Sequence, residues 1–179
     1  INAFYKFNDV RVYMDAVTVN KNKYAREEIG KYRQIFYGLS LGVGTQVGRF
    51  GNLIFEGKYQ FDEIKNRENN PEAEYKTKIV SLKISSTVDT QDKYPFPEYG
   101  VYFTGFYETA LSVLGGETGY SNLGFEYKNY ISLSNRSVIS PKFSFGFADK
   151  TLPLSQQYSF GGQESFFGMH ENEYRGRQI

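Results

Sequence analysis

The chain has 179 residues, 40% hydrophobic and 23% charged, and 21 Lys+Arg against 20 Asp+Glu leave a formal net charge of +1, too little field to draw in nucleic acid. With no Cys and 1 His, disulfides, thiolate metal sites, Cys nucleophiles and multi-His centres are excluded. The 16 Phe, 16 Tyr and 18 Gly favour strands over helices.

In chain order, residues alternate in character with the period of two that marks a strand. Val10, Val12, Met14 and Ala16 share one face, and Asp9, Arg11, Tyr13 and Asp15 the other. The polar stretch NKNKYAREEIGKY leads into Ile35, Tyr37, Leu39, Leu41, Val43 and Val47, opposed by Gly38, Ser40, Gly42, Gly44 and Gln46. After the turn GRFGN, Leu53, Phe55, Tyr59 and Phe61 oppose Glu56, Lys58, Gln60 and Asp62. Past the polar segment IKNRENNPEAEY, Val80, Leu82, Ile84 and Val88 oppose Ser81, Lys83, Ser85 and Thr87. The chain then turns through residues 89–100, carrying Asp89, Asp92, Pro97 and Gly100. A fifth strand with weaker alternation spans 101–113. Leu123, Phe125, Tyr127, Ile131 and Leu133 then face away from Asn122, Glu126, Lys128, Tyr130 and Ser132. After SNR, Ile139, Phe143, Phe145 and Phe147 face away from Ser140, Lys142 and Ser144. These are about seven meandering antiparallel strands within 1–149, and 150–179 reads as one long polar and aromatic loop.

No apolar run is long enough for a membrane helix. A mean hydropathy of −0.53 does not exclude a membrane β-barrel, whose lipid-facing and lumen-facing residues alternate. Segments of about ten residues or more, polar opposite faces and connections alternating long and short favour a transmembrane barrel. A soluble lipid-binding β-barrel or sandwich is the competing class. Seven strands do not close a bacterial barrel and would leave bare edges in hydrocarbon, so the expectation is a fragment of a larger barrel.

STVDTQDKYPFPEYG at 86–100, the 122–147 hairpin and FGGQESFFGMHENEYRG at 160–176 occur in an order that resembles the bacterial surface antigen family. This is the outer-membrane barrel shared by BamA, TamA, the two-partner secretion translocators and some patatin-like phospholipases. The family's long lid loop carries a Gly-Gly pair and then Val-Arg-Gly-Phe or Val-Arg-Gly-Tyr. Here Gly161 and Gly162 precede Phe166, Phe167, Gly168 and Met169, so Phe167 stands in place of the arginine that normally pairs with an acid on a later strand. That contact does not carry over, and Arg175 and Arg177 are the substitutes to examine. The resemblance, firm over 76–176, implies a 16-stranded barrel at the bacterial outer membrane. It implies partners in outer-membrane lipid and a polypeptide substrate or fused passenger domain, and no cofactor. Phe166-Phe167 with the tail MHENEYRGRQ is most similar to the branch with an upstream patatin-type lipase.

His170 lacks any Gly-x-Ser-x-Gly elbow or second His to make it catalytic or metal-ligating, so no catalysis by these residues is expected. GVGTQVG at 42–48 has neither the spacing nor the strand-to-helix setting of a dinucleotide fingerprint. Asp89 and Asp92 are expected to cap turn amides in preference to binding calcium. Glu171, Glu173, Arg175, Arg177 and Gly176 end the loop. Its charges either sit in solvent or bond to inward Glu126, Lys128 and Lys142, an arrangement that would hold a channel shut.

Overall fold

The computed structural model describes residues 1–16, 25–68, 74–134, 136–163 and 165–179. It is the expected all-β antiparallel meander: β1 Asn2–Ala16, β2 Ala25–Val47, β3 Gly51–Glu68, β4 Tyr75–Asp89, β5 Gly100–Ala110 and β6 Tyr120–Ser134, each paired with the next in a sheet that curls. β7 (Ser137–Ile139) and β8 (Lys142–Ala148) both pair with β6 in one register, Ile131 opposite Ile139 and Lys128 opposite Lys142. They form one seventh strand interrupted at Pro141, which has no N–H to give the ladder. Short turns join β2 to β3 and β6 to β7 at one end. The centres of the long connections at 17–24 and 69–73 lie outside the described residues.

Register sorts the side chains as the alternation requires. One outward row runs Val43, Phe55, Ile84, Tyr107, Leu123, Phe147 across six strands, and the next runs from Leu53 through Ser86 and Gly105 to Phe125 and Phe145. The convex face is bare hydrocarbon, with Val43 73% and Phe143 58% exposed. A contiguous patch of this extent belongs against lipid. At about 3.3 Å per residue and a tilt of about 40°, the run from Ile35 to Val47 rises about 30 Å, the thickness of a bilayer core. An outer surface of this kind does not fit the soluble alternative.

The strands outrun the sequence pattern. β2 has 23 residues and begins at Ala25, within what the sequence presents as a polar connection, and β3 continues to Glu68. Beyond the apolar belt both faces become polar, yet backbone pairing continues, with Arg33 opposite Asp9 and opposite Lys65. β1 differs in sense: Val10 is buried with Tyr32 and Ile64 on the concave face, so its apolar residues do not face lipid there. A register shift follows between Val12 and Tyr13.

The turn after β4 is built on carboxylate caps. Asp92 Oδ1 accepts the amides of Glu98 (2.9 Å) and Tyr99 (3.1 Å), and Asp89 Oδ1 accepts that of Gln91 (3.0 Å). Pro97 sits just ahead of the capped amides and offers none of its own. Gly100, at φ 109°, admits no side chain, since a Cβ would lie 2.3 Å from Thr90 O. The Tyr99 amide holds the Asp92 carboxyl below its ordinary 3.8. The carboxylate's contribution is therefore fully present above that ordinary value and is lost as pH falls through the lower folded one. We predict that Asp92→Ala accelerates amide exchange at Glu98 and Tyr99 at neutral pH, and that acid does the same to the unaltered turn. Unchanged exchange in the variant would count against the cap.

Candidate functional site: the lid loop on the lumen wall

The loop leaving β8 folds back over the concave face. Asp149 fixes the exit: Oδ2 accepts the amide of Ser121 (2.7 Å), and Thr151 Oγ1 donates to Gly119 O (2.6 Å). Leu152 is buried with Ile79, Ala110, Tyr120 and Ala148, and Leu154 packs on the cluster of Val10, Tyr32 and Ile64. Between these apolar anchors lies a polar one. Asp62, on β3 and 0% exposed, accepts Ser155 Oγ (2.6 Å) and Gln156 Nε2 (2.7 Å) at Oδ2, with Gln60 Nε2 against Oδ1.

The loop then forms a hairpin, β9 (Tyr158–Phe160) with β10 (Tyr174–Gly176). Tyr158 lies in a gap left by two wall glycines, where a Cβ on Gly146 would come 2.6 Å from its ring and one on Gly124 3.2 Å from its hydroxyl. That hydroxyl donates to Leu123 O (2.6 Å) beside Asn122 Oδ1. Burial pushes the Tyr158 phenol up to about 12, so it stays a neutral donor at ordinary pH. From β10, Arg175 Nη1 donates to Tyr32 OH (2.6 Å), tying the far end of the loop to β2. Arg177 Nη1 instead reaches Lys150 O (3.1 Å), and Arg177–Ile179 pair along the edge of β8, with Ile179 N to Gly146 O at 2.9 Å.

The hairpin tip holds the motif residues. Gly161 (φ 122°) and Gly162 (φ 91°) adopt left-handed backbone, and a Cβ on Gly161 would meet His170 O at 2.3 Å. Phe166 packs on Phe160 at 5.4 Å, Phe167 is 87% exposed, and Gly168 turns the chain at φ 98°. Glu173 Oε2 accepts the His170 amide (2.8 Å), and the His170 ring stacks on Tyr13 at 5.0 Å. His170 is thus a packing residue of the tip, and Phe167 makes no inward contact of the kind the family's arginine makes. Glu171 lies against Gly162.

The wall beneath is an ion-pair lattice. Lys58 Nζ meets Glu108 Oε1 at 2.8 Å, with Ser81 Oγ donating to the same oxygen at 2.6 Å and Tyr120 OH at 3.3 Å. Glu126 holds Lys128 (2.9 Å) and Lys142 (3.0 Å). These wall charges are matched among themselves, so of the loop's terminal charges it is Arg175 that reaches the wall, and it does so at a tyrosine. The principal anchors, Leu152, Leu154, Ser155, Gln156 and Tyr158, were not singled out from sequence. The available signal was the Leu-Pro-Leu-Ser-Gln-Gln-Tyr run facing an inward acid, Asp62.

An antiparallel wall, apolar outside and ionic inside, with a long loop lying against its inner face, has the build of a transmembrane β-barrel. The chain belongs to the Omp85 superfamily, whose domain matches residues 2–179. Its fold is similar to that of BamA from Haemophilus ducreyi lacking POTRA domains 1–3, with a TM-score of 0.68 and 22% identity over 79% of this chain and 31% of that one. No curated protein matches the sequence.

Proposed function

We propose that this chain is the wall and lid of a bacterial outer-membrane barrel that inserts, translocates or displays polypeptides, its own residues serving transport and not catalysis. The observation that carries this is the lid seated on Asp62, Tyr32 and Gly124/Gly146, since a lumen closed by many modest contacts is one that a passing chain can reopen. A second reading, the barrel anchor of a patatin-like phospholipase encoded upstream, is favoured by Phe167 in the place of the lid arginine. Depletion of the native protein, followed by quantitative proteomics of the outer membrane and medium, tests both. Loss of many barrel proteins supports insertion, and loss of one secreted or surface protein supports translocation or display. An unchanged polypeptide complement with altered phospholipid hydrolysis overturns the transport reading in favour of the anchor.

A further inference from the structure

Above the apolar belt, the outward face of β1–β4 is charged. On β1–β4 the outward rows next above the belt carry Arg11, Lys31, Arg33, Lys65, Lys76 and Lys78 with Asp9 and Glu63 among them by register, and Arg67, at the β2–β3 irregularity, stands beside Asp9. At the loop end of β5, β6 and β8 the last outward residues are Thr109, Ser121 and Phe147, level with Leu82 and Ile84 of the belt, so these strands end below the height of the basic rows. The basic band is therefore a patch on one side of the wall.

The neighbouring acids are Asp9, Glu28, Glu63, Glu74 and Glu117, five against the seven cations, so the band keeps an excess of positive charge. Asp9 takes Arg33 in a two-pronged bond (2.6 and 2.8 Å), and Glu28 takes Arg11 and Lys31 (3.5 and 3.4 Å). Glu74 caps the Asn66 amide (3.0 Å), and Glu117 the Lys78 amide (2.9 Å). Lys65, Arg67, Lys76 and Lys78 gather on two adjacent strands, Lys65 3.5 Å from Glu63, Arg67 3.8 Å from Asp9, Lys76 opposite Glu63 and Lys78 opposite Phe61. The patch rests on aromatics at the upper edge of the belt: Lys76 Nζ lies 5.2 Å from the Phe61 ring centroid and 5.5 Å from that of Tyr37, and Arg33 lies 5.0 Å from that of Phe7. Aromatic rings mark the level of the headgroups in a barrel, so these cations stand where lipid phosphates lie.

We propose that the outward patch of Lys65, Arg67, Lys76 and Lys78, extended by Arg33, binds the phosphorylated headgroup of a lipid in the leaflet at the loop end. The proposal rests on the membrane-barrel reading. Lipid tails lie along Tyr59, Val80 and Leu82, and the phosphates meet the cations above them, so one molecule satisfies both halves of the surface.

The test uses the native protein purified in detergent, with diphosphoryl lipid A and its dephosphorylated form as probes and bound lipid counted by native mass spectrometry. The unaltered protein is expected to prefer the diphosphorylated lipid by about tenfold or more, and to lose that preference in high salt. The quadruple variant Lys65→Gln, Arg67→Gln, Lys76→Gln, Lys78→Gln is expected to bind both forms alike. Equal binding of the two lipids by the unaltered protein, a requirement for no variant, overturns the proposal, as does a preference that survives in the variant. Gel mobility with and without boiling separates the two levels of failure. A heat-modifiable barrel without phosphate preference sinks the lipid site alone, and a protein without heat-modifiable mobility sinks the membrane reading with it.

Discussion

Asp62→Ala is expected to unseat the lid and raise ion conductance through the native protein in planar bilayers. The carboxylate is fully buried and is served by hydroxyl and amide donors from both lid and wall, so its removal leaves Ser155, Gln156 and Gln60 without their acceptor. Hydrogen bonds to a charged group contribute about 1.5–3 kcal/mol each. Ser155 and Gln156 regain water once the loop lifts, which places the loss in the closed state. A net shift of about 3 kcal/mol changes the closed-to-open ratio by about two orders of magnitude. Asp62→Asn, which keeps an acceptor but adds a donor facing donors, falls between. Cells carrying Asp62→Ala should also admit antibiotics too large for ordinary pores. Conductance identical to that of the unaltered protein would show that the lid does not depend on this anchor.

Glu108→Ala is expected to lower barrel stability by about 3–5 kcal/mol, because it strands the Lys58 ammonium inside the wall. The pair is close at 2.8 Å, and the two side chains keep only 16% and 6% of their surface exposed. Replacing both, as Lys58→Met with Glu108→Leu, removes the stranded charge together with its partner and should recover most of the loss. Ser81 and Tyr120 would still lack an acceptor, which limits the recovery. The temperature at which the folded gel band disappears measures all three proteins. A single variant as stable as the double one would mean that lumen water solvates Lys58 and that the pair carries little.

The lipid-facing half of the fold was legible because hydrocarbon demands an apolar residue at every second position, and Leu39, Leu41 and Val43, or Leu123, Phe125 and Tyr127, meet that demand without exception. The ends of the same strands were not. Residues 25–32 and 64–68 read as loops because alternation disappears once both faces are polar, whereas backbone pairing does not depend on side-chain hydrophobicity. Val10 and Val12 show a further limit: alternation reveals that two faces exist but not which one a lid will cover. The charged tail at Glu171–Arg177 drew attention to the loop's far end. Its main attachments lie at Leu152–Tyr158, through partners such as Asp62 that stand more than ninety residues away in sequence. Contacts of that separation leave no local pattern.

The seat of Tyr158 is made by what Gly124 and Gly146 lack. A Cβ at 146 would occupy the place of the ring, one at 124 would press on Phe106 at 2.8 Å and on the phenol oxygen at 3.2 Å, and a lid with a smaller residue at 158 leaves a void over the glycines. Wall and lid must therefore be inherited together. Grafting this loop onto a relative's barrel, or a relative's loop onto this one, would succeed only where the glycine pair and the tyrosine travel as a set.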